Sequence, residues 1–321
     1  MMLADYSVTL VIPILNEAKA LPKLLQSIEK QTHRPNEIIF TDAGSTDGSV
    51  DLIEEWWRSA MWGDAKCIVL SRLGAMPGAG RNAGVLEARN SWIAFIDGGI
   101  ELGSDWLQNL CQHSSESNSL AVFGVCQFSA NQPFCKAVCA LSYGHGAIHP
   151  VIPASLFERK VFDEIGGFPT HLRAGEDLIW MSAFQDHYGR REVCKSAMVY
   201  YSDFPMRWTQ AISKWFLTET QCVLAGVRAP QQAIYLLGIP AIYGMALIGG
   251  YYGGFLLLIY ILLRGIIDPI RRSKDRPWWG SKPLAVFIAV PLALTLDLAK
   301  WAGIIRGIYR RIQARSATLN N

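Results

Sequence analysis

The chain of 321 residues is half hydrophobic and only 18% charged, with a net charge of +3. An average soluble domain is roughly 25% charged; this composition, with a mean hydropathy of +0.17, excludes a disordered chain, a collagen-like chain and a disulfide miniprotein, and argues against a purely soluble protein. Residues 1–228 are net −5 and residues 229–321 net +8. Basic residues flanking greasy segments point to an anionic membrane surface as partner and away from nucleic acid.

Val8–Ile12 is a β-branched apolar run closed by Pro13, read as a buried strand. Leu21, Leu24, Leu25 and Ile28 recur at helical spacing within 17–31. Ile38–Thr41 reads as a second strand, Asp51–Trp57 as a helix behind a Gly/Ser/Thr/Asp turn, Cys67–Leu70 as a third strand and Trp92–Ile96 as a fourth. This alternation predicts an α/β fold, a parallel doubly wound sheet with helices on both faces. Ligands bind such sheets at the carboxyl ends of the strands, and there lie Asn16 and Glu17, Asp42–Gly48, and Asp97–Glu101. The segment 205–228 reads as an amphipathic helix rich in Trp and Phe, lying at a membrane interface or packed on the domain. Residues 229–263 lack Asp, Glu, Lys and Arg, too long for one span of about 20 residues and short for two with a loop. Residues 283–305 form a second apolar stretch, interrupted by Asp297 and Lys300. The basic linker between them, with Trp278 and Trp279, suits the cytoplasmic headgroup level. With both flanks positive, the first stretch is expected to be a helical hairpin; the second crosses, or dips and returns. The chain thus divides into a catalytic domain at 1–204, an interface helix at 205–228 and a membrane-associated region at 229–321. The seven cysteines are scattered without a CxxC pair, as free thiols in a reducing cytosol would be. The N-terminus lacks a basic n-region, so the first domain is expected to stay in the cytoplasm.

Three motifs carry chemistry. In VTLVIPILNE, Asn16 and Glu17 follow a strand and can pair with a base or ribose. In IIFTDAGSTDGS a strand delivers Asp42 into a tight polar turn containing Gly44, Ser45, Thr46, Asp47 and Gly48. A carboxylate there can hold a uracil N3–H or a ribose hydroxyl. A calcium loop fails on spacing, because the twelfth position from Asp42 is Ile53. In GAGRNAGVLEARNSWIAFIDGGIE, Gly78, Gly80 and Gly84 surround Arg81, which is placed to contact an anionic nucleotide or to pack at a helix start, and a strand then ends in Asp97.

Together with a fourth element, GGFPTHLRAGEDLIW, these motifs resemble the family 2 glycosyltransferases of GT-A fold over residues 7–220. The resemblance implies a Rossmann-like, mostly parallel sheet and a nucleotide-diphosphate sugar donor, with UDP taken as the nucleotide. By position, it implies that Pro13, Asn16, Glu17, Asp42, Ser45 and Asp47 line the nucleoside pocket, with Arg81 beside it. Asp97 and Gly99 occupy the DxD position that holds ribose and a divalent metal, Mg or Mn. Asp177 is the implied catalytic base, with Glu176 positioning it or the acceptor. Inverting transfer to a hydroxyl needs a carboxylate to take the proton as the oxygen attacks C1.

One departure concerns the metal: the family's D-x-D is Asp97-Gly98-Gly99 here, so the second Asp is missing. Three readings stay open: a metal on Asp97, aided by Glu101; a metal-independent enzyme with a cation such as Arg207 on the diphosphate; or an inactive sugar-nucleotide-binding protein. FPMRW at 204–208 is similar to the QxxRW element of processive synthases, but Phe204 replaces the Gln, so transfer of a single sugar is expected. The expected acceptor is a glycolipid or lipid-linked glycan hydroxyl at the cell membrane; polyprenyl phosphate is the alternative. His145 and His149 line a pocket or pack a Gly-rich loop, and Asp297 and Lys300 can pair at i, i+3.

Overall fold

The computed structural model describes residues 6–274 and 285–319. Among these the strands are β1 (Val8–Ile14), β2 (Glu37–Asp42), β3 (Lys66–Ser71), β4 (Trp92–Phe95), β5 (Ile100–Leu102), β6 (Ala121–Phe128), β7 (Ile148–Pro150), β8 (Leu156–Glu158) and β9 (Glu192–Tyr201). They form one sheet in the order β3-β2-β1-β4-β8-β6-β9-β5, with β7 beside β6. β3, β2, β1 and β4 are parallel, with Val11 opposite both Ile39 and Phe95. β1 and β2 are buried almost end to end, as their unbroken apolar runs require, while β3 has exposed ends and forms an edge. Beyond β4 antiparallel pairs appear: β8 pairs in this way with β4 and β6, and β5 with β9. The sheet is therefore mixed, with its parallel half drawn from the first four strands. Several later strands are three residues long, too short to leave a period in the sequence.

The helices are α1 (Leu21–Glu29), α2 (Ser49–Ser59), α3 (Pro77–Glu87), α4 (Trp106–Ser117), α5 (Pro133–Ser142), α6 (Arg159–Ile165), α7 (Glu176–Tyr188), α8 (Trp208–Ala225), α9 (Ala229–Ile248), α10 (Gly250–Leu262), α11 (Asp268–Arg272) and α12 (Ala285–Leu319), with a π-turn at Leu263–Ile267. The chain forms two compact units. One comprises the chain to Gln127 with Ile148–Asp203; the other comprises Phe128–Ala147 with the chain from Phe204 onward.

In the first unit, the glycines of α3 have a packing function. A Cβ at Gly84 would run into the Val11 side chain, and one at Gly80 would lie 2.9 Å from Thr41 Oγ1 and 3.2 Å from Pro13 Cβ. Glycine lets α3 lie directly on β1 and β2. Beneath α7, Phe95, Phe157, Phe162, Phe168, Trp180 and Phe184 form an aromatic core. Trp180 stacks on Phe168 with centroids 4.9 Å apart and donates its indole N–H to the Gly166 carbonyl at 3.0 Å. This pins the second turn of α7 in place.

In the second unit, three helices among the described residues are long and apolar enough to cross a membrane: Ala229–Ile248, Gly250–Arg272 and Phe287–Ala314. The apolar segment 229–263 resolves into α9 and α10, which pack on each other as a hairpin; Gly253 sits against the Met245 carbonyl where no Cβ would fit. The segment 283–305 falls within the longer α12; the linker residues 275–284, with Trp278 and Trp279, lie outside the described residues. The expected Asp297–Lys300 pair is 3.6 Å apart, and Arg264 makes a closer, bidentate contact with Asp297 at 2.7 and 3.0 Å. Tyr260 and Tyr235 donate their hydroxyls to the same carboxylate at 2.8 and 3.2 Å. His145 is buried with its ring against the Ala130 backbone and its N–H bonded to Ser273 Oγ, a loop-packing role. In the first unit, His149 is exposed on β7 opposite Cys126.

Candidate active site

The loops after β1 and β2 are stitched to each other. Asn16, at φ +57°, donates its N–H to Ser45 Oγ at 2.8 Å and accepts the Thr46 N–H on Oδ1 at 2.9 Å. The Ala18 N–H donates to Asp47, and the Glu17 N–H to Ser49 Oγ, both at 2.9 Å. Asp42 is buried at the end of β2 and accepts the N–H groups of Gly44 and Ser45 at 3.1 and 3.0 Å. These residues were expected to face a nucleoside. Their hydrogen bonds build the turn between the two strand ends; Pro13 lies on β1 beneath them, against Gly80. The Ser49 hydroxyl, against the opposing effect of burial and with help from backbone amides, holds Asp47 below the usual carboxylate range.

Glu17 is half-buried and packs on Gly98, where a Cβ would come within 2.8 Å of its Cγ. Burial, with Asp203, Asp97 and Asp47 adding repulsion, pushes its carboxyl up to about 7. Asp203 was not among the expected residues; no local motif marks it.

Arg81 joins the two halves of the site. It is 4% exposed and donates Nη2 to Asp97 Oδ1 at 2.7 Å and Nη1 to Glu176 Oε1 at 2.9 Å. Burial alone would lower its pKa; Asp97 and Glu176 outweigh burial and raise it. Arg81, expected beside a nucleotide, holds the Asp97 and Glu176 carboxylates one guanidinium apart. Glu176 is buried, and burial pushes its carboxyl up against the pull of Arg81, with Asp177 adding to the rise. Next along α7, Asp177 is half-buried and accepts the Leu178 N–H on Oδ1 at 2.9 Å. Neighbouring Asn82 clamps the GGF turn: its amide donates to the Phe168 carbonyl and accepts the Phe168 N–H, both at 2.8 Å.

Among the described residues, no three His, Cys, Asp or Glu side chains converge to hold an ion. Asp97 already gives one oxygen to Arg81. Glu101 is exposed on β5 opposite Tyr200. A Cβ at Gly99 would meet only the Tyr201 ring, at 3.8 Å, so the missing carboxylate is not excluded by space. Arg207 is exposed at the N-cap of α8, in the second unit.

Residues 9–138 match the family model for glycosyl transferase family 2. The glycosyltransferase AglE of Haloferax volcanii is 25% identical over 189 residues, 56% of this chain and 61% of that protein. The O-antigen chain rhamnosyltransferase RfbN of Salmonella typhimurium is 25% identical over 217 residues, 61% of this chain and 66% of its own length. Each match spans less than two thirds of the relative. Among solved structures, the mannosyltransferase PcManGT of Pyrobaculum calidifontis, in complex with GDP-Man and Mn2+, superposes with a TM-score of 0.60 at 15% identity, covering 95% of this chain and 88% of that one. That likeness bears on the fold, and it extends through both units. Residues 9–138, the segment that carries Asp97 and Arg81, are thus a glycosyl transferase family 2 domain.

Proposed function

We propose that the protein transfers one sugar, with inversion, from a nucleotide-diphosphate sugar to a hydroxyl of a membrane-associated glycolipid or lipid-linked glycan. The supporting observation is the Asp97–Arg81–Glu176 bridge, which brings the start of α7 beside the strand end where the donor is expected. Asp42, Asn16 and the 43–48 turn take the nucleoside, and Asp97 takes the ribose. Asp177 is the base. Glu176 is buried and held by Arg81, whereas Asp177 is more open, beside it on α7. As the acceptor oxygen forms its bond to C1, Asp177 takes the proton and the C1–diphosphate bond breaks.

Membrane attachment through the apolar helices keeps a lipid-borne acceptor in reach, and the catalytic unit faces the cytoplasm, where sugar nucleotides are made. The relatives' names fit envelope or lipid-linked glycans, one being an O-antigen chain transferase. The experiment is a screen of UDP- and GDP-sugars with purified protein in lipid, reading nucleoside diphosphate release. Release with one donor and an added hydroxyl acceptor is the expected result. Transfer only to polyprenyl phosphate would replace the acceptor assignment, and donor binding without release would leave a binding protein.

A further inference from the structure

Three helices of the second unit have the length and apolarity of membrane spans, but they are not placed alike. α9 has 20 residues and α10 with its continuation to Arg272 has 23. At 1.5 Å per residue each rises about 30–35 Å, matching a hydrocarbon core of about 30 Å. At their junction Tyr251 and Tyr252 are 99% and 83% exposed, as suits a turn emerging at the far headgroup layer.

The 35 residues of α12 make a rod of about 52 Å, far longer than one crossing needs. Its contacts run in order along its length. Val290 lies against Gly265, within the π-turn of the hairpin's returning arm. Asp297 is held by Arg264 and by Tyr235, a residue six positions, or about 9 Å, into α9. The Gly303 carbonyl accepts the Thr220 hydroxyl at 3.0 Å, and Gly307 abuts Val223, both partners on α8. α8 ends at Ala225, just before α9 begins at Ala229. The helix therefore starts beside the returning arm, passes the hairpin near its base and finishes along α8. Its latter part exposes Ile305, Tyr309 and Ile312 beside exposed Arg310 and Arg311, the mixture of an interfacial helix. A crossing would carry the latter part of α12 along the hairpin toward its tip and away from its α8 partners Thr220 and Val223.

We infer that the chain crosses the bilayer twice and not three times. The α9–α10 hairpin spans, and α12 lies along the interface on the side where the hairpin begins and ends. The surface formed by α12 and α8 thus faces the headgroups of a single leaflet. This rests on the membrane association proposed above and deepens it.

The test is cysteine labelling of the full-length protein in sealed vesicles with a membrane-impermeant maleimide. A Cys67→Ser background is used, because Cys67 is the half-buried thiol and the other six are buried. Ser213→Cys on α8, Tyr251→Cys at the tip and Gln313→Cys on α12 all replace exposed side chains. The expected result is that Ser213→Cys and Gln313→Cys label from one face and lose labelling from the other, with the reverse for Tyr251→Cys. Gln313→Cys labelling with Tyr251→Cys would mean three crossings. Tyr251→Cys labelling with Ser213→Cys, or from neither face, would mean no crossing, as would release of the protein by carbonate; each overturns the inference. Nucleoside diphosphate release in the same vesicles reports separately on the catalytic proposal.

Discussion

Arg81→Gln removes the cation that spans Asp97 and Glu176, and the two halves of that bridge do not count equally. The Asp97 side chain is 43% exposed, so its pairing contributes about 0–1 kcal/mol. The Glu176 side chain is 7% exposed. Taking away the partner of a buried charge costs about 3–5 kcal/mol, because the remaining charge stays desolvated. The expected loss is therefore about 3–5 kcal/mol, nearly all of it from Glu176. For a unit of this size, a drop in melting temperature of about 6–20 °C follows. Detergent-solubilised wild type and variant would be melted side by side from pH 8 to pH 5, following near-UV circular dichroism. Without Arg81 the Glu176 carboxyl rises further above its unfolded value, so the penalty is fully present above the folded pKa. It fades as pH falls toward the unfolded pKa, because protonation relieves it. The double variant Arg81→Gln/Glu176→Gln should recover most of the loss at pH 8. A loss below about 1 kcal/mol, a gap independent of pH, or a double variant no better than the single would refute this reasoning.

Asp177→Asn is expected to lower kcat by about 10²–10⁴ while the donor Kd, read by calorimetry, stays the same; unchanged turnover would remove the base assignment. Gly99→Asp should fold normally, since its Cβ has only the Tyr201 ring in reach, and should make nucleotide-diphosphate binding tighter with Mn2+ and weaker with EDTA than in wild type. An identical chelator response in the two proteins would show that position 99 is not near the diphosphate. Glu17 keeps its proton to about 7 when folded, against 4.5 when free, so wild-type stability should fall as pH rises through that window. Glu17→Gln should flatten the fall, and an unaltered slope would contradict the placement of Glu17 among Asp203, Asp97 and Asp47.

The parallel half of the sheet was legible because its strands are unbroken apolar runs followed by turn residues and helices. The three-residue strands of the other half carry no period, and only long-range pairing reveals them. For the candidate site, the sequence singled out residues but not their partners. Arg81 and Glu176 are 95 positions apart, and nothing local in GRN or GED signals that one is the other's counterion. The Gly-rich entry to the helix around Arg81 shows its use only in the fold, where Gly84 and Gly80 yield space to Val11 and Thr41. In the apolar third, Asp297 and Lys300 stood out as a pair at helical spacing, but the bidentate partner is Arg264, on the returning arm of the hairpin.

The segment between the GGF turn and α7 is moored at both ends, at Phe168 by Asn82 and at Glu176 by Arg81. Between these moorings Leu172 points inward, while Thr170, His171 and Arg173 face outward. A stretch fixed at its ends and open in its middle can be rewritten without loosening what it delivers. Under the proposed transfer to a hydroxyl, randomising Thr170, His171 and Arg173 is therefore the place to begin when seeking variants with a different acceptor.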